Sequence, residues 1–140
     1  MVTRGTHLLI ECLGCDRAVL DDATALERAL RAAADALGAT VIGAMFHRFV
    51  PHGVTGVLLL AESHVSVHSW PERGYAAVDL FTCGARDPAD TVPALARAVC
   101  AERVSVMRVS RGEGAHEDTN GSSGWPRSSR RPRSPSSRPR

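Results

Sequence analysis

A chain of 140 residues with 44% apolar content can build one modest core, so any site must fit in a single domain or be shared between copies. Its net charge of +2 conceals a division: residues 1–120 carry 11 Arg against all 15 acidic residues, whereas residues 121–140 carry 6 Arg and no acid. No Lys occurs, which excludes a lysine Schiff base to a substrate or to pyridoxal phosphate, and no run approaches the ~18 apolar residues of a membrane span.

Residues 6–13 form an apolar run of strand length, broken by Gly14 and the polar Asp16-Arg17. Thr24, with Glu27 three residues on, reads as a helix N-cap; Leu26, Leu30, Ala33 and Leu37 then recur at helical spacing until Gly38. Residues 40–49 read as a second strand, Pro51-His52-Gly53 as a turn, and Val54 to Leu60 as a third strand pairing with the second. Val65 and Val67 alternate with His64, Ser66 and His68, the pattern of a half-buried strand. After the break at Trp70-Pro71, Tyr75 to Cys83 gives a strand whose odd positions Tyr75, Ala77, Asp79, Phe81 and Cys83 share a face. Asp87-Pro88 opens a helix with Val92, Leu95, Ala96 and Val99 on one side and Pro93 tolerated in its early turns. Val104, Val106 and Val109 mark a last strand. This order predicts an α+β two-layer sandwich, helices on one face of a mainly antiparallel sheet, spanning residues 1–111. Residues 112–140, rich in Arg, Ser and Pro, have little to bury and are expected to be a disordered tail.

Four cysteines, Cys12, Cys15, Cys83 and Cys100, admit disulfides, a metal or free thiols. Cys12 and Cys15 have CxxC spacing but no second pair and no strand-to-helix redox context, so a structural role is expected and no metal. The N-terminus shows no apolar leader, and a cytoplasmic protein with reduced thiols is expected.

Residues 60–84 hold the chemistry. A hydroxyl (Ser63), imidazoles (His64, His68), carboxylates (Glu62, Glu72, Asp79) and a thiol (Cys83) are the ingredients of acyl and proton transfer. No Gly-x-Ser-x-Gly elbow surrounds Ser63, which argues against an ordinary serine hydrolase. Taken singly, His68 reads as a hydrogen-bonded strand histidine and Cys83 as a small buried apolar residue; their company in one run favours chemistry. Ser63 and His68 differ by an odd number of positions. On a straight strand they face opposite sides, so their cooperation calls for a turn or bulge near the Glu62–Ser63 bond.

Ala61-Glu62-Ser63-His64, then His68-Ser69-Trp70-Pro71-Glu72, then Gly74 to Gly84 resemble the short prokaryotic, pyruvoyl-dependent S-adenosylmethionine decarboxylase proenzymes. Cys15-Asp16, Gly38-Ala39-Thr40, Phe46-His47-Arg48-Phe49, Pro51 and Gly53-Val54 extend the resemblance over residues 5–111. It implies self-cleavage. Ser63 attacks the Glu62 carbonyl, an N-to-O shift makes an ester, and loss of the Ser63 Cα proton expels the Glu62 carboxylate; the dehydroalanine left behind hydrolyses to a pyruvoyl group and ammonia. The products are a β fragment of residues 1–62 and an α fragment of residues 63–140. The resemblance makes His68 the proton acceptor of processing and Cys83 the proton donor of catalysis, with Phe49 stacking on substrate and Glu72 facing its ribose. It further implies a homodimer of αβ units and a product, S-adenosylmethioninamine, that donates aminopropyl groups to spermidine. Thr55 and Ser66 stand where Ser and Thr are expected to interchange.

Two alternatives stay open on the residues. The motif encodes cofactor formation rather than pocket shape, so arginine or ornithine could be the substrate; Arg73 beside Glu72 disfavours a sulfonium. A binding module gripping nucleic acid or another polyanion through the Arg-rich tail is the other. The tail's single aromatic, Trp125, and the net acidic body argue against it.

Overall fold

Alternation of apolar and polar side chains decides which way each central strand faces. The protein's computed structural model describes residues 4–113. Within them the elements are β1 (Arg4–Leu13), α1 (Arg17–Leu20), α2 (Ala23–Leu37), β2 (Val41–Arg48), β3 (Val54–Leu60), β4 (Ser63–Trp70), β5 (Tyr75–Thr82), α3 (Val92–Ala98) and β6 (Arg103–Gly112). Short 3₁₀ turns, Pro71–Arg73 and Pro88–Thr91, precede β5 and α3. The strands form one sheet in the order β2-β3-β4-β5-β1-β6, with every pairing antiparallel. This is the expected α+β sandwich. Short turns join β2 through β5 as a meander, and the longer crossings through α2 and α3 carry the chain to the two edges.

The side chains of Leu8, Ile10 and Cys12, of Leu58 and Leu60, of Val65 and Val67, and of Val78 and Leu80 are buried beneath the helices. Helix α2 answers with Leu26, Ala29, Leu30, Ala33 and Ala34, recurring at i, i+3, i+4 and so forming one stripe. Truncating one of the buried leucines to alanine costs about 2–5 kcal/mol. The opposite sheet face has no helix over it among the described residues. There Met45, Leu59 and Met107 remain 74%, 55% and 62% exposed.

The N-cap of α2 differs from expectation. Asp22 is the cap, its carboxylate accepting from the Thr24 and Ala25 amides at 2.9 and 3.2 Å. A carboxylate satisfies two orphan donors at the positive end of the helix, so Asp22 outcompetes Thr24, which becomes a first-turn residue. Glu27 pairs with Arg31 instead. A one-turn helix absent from the sequence reading, α1, is capped likewise by Asp16. Gly38 closes α2 in the left-handed conformation, as expected. The last strand ends at Gly112, and of the tail expected over 112–140, residues 114–140 lie outside the described residues.

One buried hydroxyl joins three elements. Ser69 Oγ donates to the Leu20 carbonyl at 2.7 Å and accepts from the Val54 amide at 2.9 Å. Ser69→Ala leaves a buried amide and carbonyl short of a partner and should lower stability by about 1–3 kcal/mol in urea titration. A loss below about 0.5 kcal/mol would show that water replaces the hydroxyl there.

Candidate active site

Strand β4 begins at once after a two-residue turn, Ala61-Glu62, since Leu60 and Ser63 are register partners. Glu62 takes φ +62°, the left-handed region that costs a side-chain-bearing residue on the order of 1 kcal/mol. Ser63 is half-buried just past this corner. It lines a cleft of about 220 Å³ with Gly38, Thr40, Glu62, Thr82 and Cys83. Thr82, beneath the corner, accepts the Gly84 amide at 3.1 Å and braces the turn that carries Cys83. Cys83 is exposed and lies just past β5.

Residues His68, Phe49 and Glu72 gather elsewhere, in a second cleft of about 210 Å³ with Thr55, His52 and Trp70. Thr55 pairs with His68 across β3 and β4, and its hydroxyl lies 3.0 Å from His68 Nδ1. His52 Nε2 meets Glu72 at 3.0 Å, and the Phe49 ring stands edge-on to His47 at 4.6 Å. The loop that presents Phe49 is tethered to α1. Arg48 binds the Asp21 carboxylate at 2.6 Å, and the Gly53 amide donates to the same carboxylate at 2.9 Å. Those hydrogen bonds, that of Arg48 first, hold the Asp21 carboxyl below the usual carboxylate range. Because it titrates lower folded than unfolded, the tether is in force above that range and lost as pH falls through the folded value.

The sequence reading made cooperation of Ser63 and His68 depend on a turn or bulge near the Glu62–Ser63 bond. The turn exists, but it precedes Ser63, and β4 then pairs without a bulge from Ser63 to Trp70. Ser63 shares the parity of Val65 and Val67, which enter the core, whereas His68 shares that of His64 on the open face. Sequence reasoning assigned no supporting role to Thr55, His52 or Asp21. Thr55 was within reach, since counting back from a two-residue turn puts it opposite His68. Arg73, set beside Glu72 by sequence, lines a separate groove with Glu11, Leu13, Tyr75 and Ser105. In that groove Tyr75 hydrogen-bonds Glu11, which together with burial pushes its phenol up to about 12.

Fold and clefts together define an α+β enzyme-type domain with a hydroxyl beside a thiol at one end and an imidazole beside a carboxylate at the other. Residues 6–112 match the family described as S-adenosylmethionine decarboxylase, and the chain belongs to that family. It is 47% identical over 109 residues to the S-adenosylmethionine decarboxylase proenzyme of Methanococcus maripaludis, covering 77% of this chain and 89% of that one. Identity to the Thermotoga maritima proenzyme is 47% over 113 residues, covering 80% and 87%. The fold is similar to the crystal structure of the adenosylmethionine decarboxylase from Aquifex aeolicus, at TM-score 0.69 and 33% identity, covering 77% of this chain and 90% of that one. The enzyme reading therefore stands over that of a polyanion-binding module.

Cys83 owes its surroundings to a missing side chain. A Cβ on Gly5 would stand 2.5 Å from the Phe81 ring and 3.4 Å from Cys83 Sγ. Phe81 in turn packs on His7 and His64, with ring centroids 5.9 Å away in both cases. Gly5→Ala should therefore displace the ring and destabilise the domain by about 1–3 kcal/mol, measured by denaturant unfolding. An unchanged midpoint would mean that the ring has room to move.

Proposed function

We propose that this chain is a proenzyme that cuts itself between Glu62 and Ser63, turns Ser63 into a pyruvoyl group, and with it decarboxylates S-adenosylmethionine. The observation that carries this reading is the position of Ser63: first after a two-residue corner, behind a strained Glu62, and in one cleft with Cys83. Opening the Glu62–Ser63 bond releases the strain at Glu62, which favours the cut over its reversal. A pyruvoyl group supplies an electron sink for the carbanion left when carbon dioxide departs, a task no standard side chain can perform. The cleft fits such a group, because Ser63 and Cys83 both line it, with Cys83 as donor of the proton that replaces carbon dioxide. Choice of S-adenosylmethionine over arginine or ornithine is supported by the family and by the printed names of the relatives. Arg73 lines a different groove from Glu72, which weakens the electrostatic objection to a sulfonium.

A second copy completes the site. Ser63 and His68 of one chain stand five residues apart on an unbroken strand, roughly 16 Å, and on opposite faces. His68 of the same chain is thus out of reach of the Ser63 Cα proton. Neither cleft alone, at about 220 and 210 Å³, attains the ~300 Å³ at which ligand sites begin. The bare sheet face, with Met45, Leu59 and Met107 exposed, is what a partner would cover. In the homodimer the Ser63–Cys83 cleft of one protomer faces the Phe49–His68–Glu72 cleft of the other. Thr55 fixes the imidazole, Phe49 offers a ring face to the adenine, and Glu72 accepts from the ribose.

Intact mass spectrometry of the purified chain should show two fragments divided at Glu62/Ser63, and labelled carbon dioxide should be released from S-adenosylmethionine but not from arginine or ornithine. A single uncut chain after long incubation, or release from arginine or ornithine, overturns the reading. The two-copy site has its own test. Differently tagged Ser63→Ala and His68→Ala chains, each uncut alone, are co-expressed and mixed dimers are isolated. The His68→Ala chain should then be cut, because it keeps Ser63 and borrows His68. Mixed dimers that stay uncut would place both residues in one chain.

A further inference from the structure

Where β1 runs out toward α1 and α3 runs out toward β6, each segment carries a cysteine. The Glu102 amide donates to the Leu13 carbonyl at 2.9 Å and the Asp16 amide donates to the Val99 carbonyl at 3.1 Å. These two bonds bracket Cys15 on one segment and Cys100 on the other. Backbones joined by hydrogen bonds run roughly 5 Å apart, which sets the separation of these two segments. A disulfide needs Cα atoms about 4.4–6.8 Å apart. Cys15 is 7% exposed at the edge of the core, and Cys100 is exposed.

The backbone at Cys100 adds a second observation. Cys100 and Ala101 close α3 by donating to the Arg97 and Ala96 carbonyls at 3.1 and 2.9 Å, the paired bonds of a left-handed helix ending. Cys100 takes φ +53° there, in a slot that favours glycine. A side chain, and a thiol, thus stands where the fold gains most from having none. Burial first, then Cys100, push the Cys15 thiol up to about 11.

We propose that Cys15 and Cys100 form a reversible disulfide, one that joins the two fragments where the chain has cut itself. The exposed Cys100 thiolate attacks a low-molecular-weight disulfide, expelling one small thiol and leaving a mixed disulfide. The Cys15 thiolate then attacks the Cys100 sulfur and expels the second small thiol. Two protein thiols are oxidised and one small disulfide is reduced to two thiols. On the self-cleavage reading, Cys15 belongs to the fragment of residues 1–62 and Cys100 to that of residues 63–140, so the bond restores covalent continuity. It also reaches the substrate cleft, because the Cys15 amide donates to the Gly74 carbonyl at 2.9 Å and Gly74 ends the turn that carries Glu72.

The test is incubation of the full chain with glutathione disulfide, followed by thiol counting, peptide mapping and electrophoresis without reductant. Four free thiols should fall to two, with the peptides of Cys15 and Cys100 linked. The two fragments should run as one band that dithiothreitol separates, and Cys15→Ser or Cys100→Ser should abolish the link. Mapping of a Ser63→Ala chain keeps this result independent of self-cleavage, since the linked peptides appear there whether or not the wild-type chain is cut. A Cys12–Cys15 link, or a stable glutathione adduct on Cys100 with no cross-link, overturns the proposal.

Discussion

Strict alternation along β4 is the constraint on which the rest of the structure depends. A strand without a bulge sends successive side chains to opposite faces, and β4 keeps its pairing with β3 and β5 along its length. Val65 and Val67 must enter the core because α2 lies over that face, and their burial fixes the parity of every neighbour. Ser63 follows them to one side, and His68 goes to the other. A slip of one residue would expose both valines and reverse the roles, which is why the register is so firmly held.

The same parity shapes the open face. Tyr75, Ala77, Asp79 and Phe81 of β5 line up beside His64, Ser66 and His68 of β4, in rows that continue through β1. His7 sits in the row of Phe81 and His64, with Nε2 3.4 Å from Asp79 and Arg111 poised over the Phe81 ring. Apolar side chains flank this polar centre at both edges, Met45 and Leu59 on one and Met107 on the other. Exposed apolar margins around a charged middle are the pattern of a surface open to a partner.

Loops at the rim are held by specific polar contacts rather than by burial. Asp21, through Arg48 and the Gly53 amide, ties the segment carrying Phe49 to α1. Ser69, within the core, ties β4 and β3 to the end of the same helix. Such contacts keep the cleft walls in place while leaving the ring and the carboxylate exposed. They connect segments 32 and 49 residues apart in the chain, too far for local sequence patterns to signal.

Much of the molecule was legible in the sequence, for reasons of period and composition. Alternating valines in β4, the odd-numbered face of β5, the apolar stripe of α2 and its terminal Gly38 all act through neighbours within a few residues, so local reading found them. The run from Glu62 to Cys83 likewise offered its candidate groups by residue type. The N-cap went to Asp22 because a nearby carboxylate competes better than a hydroxyl, a contest that spacing rules leave undecided. What only the tertiary structure decided is which residues share a cleft. The sheet order brings the end of β5 beside the start of β4, joining Cys83 to Ser63, while the extended length of β4 carries His68 away to Phe49 and Glu72. Side-chain chemistry is a property of single residues and is written in the sequence; distance between them is set by strand pairing, which depends on the whole chain.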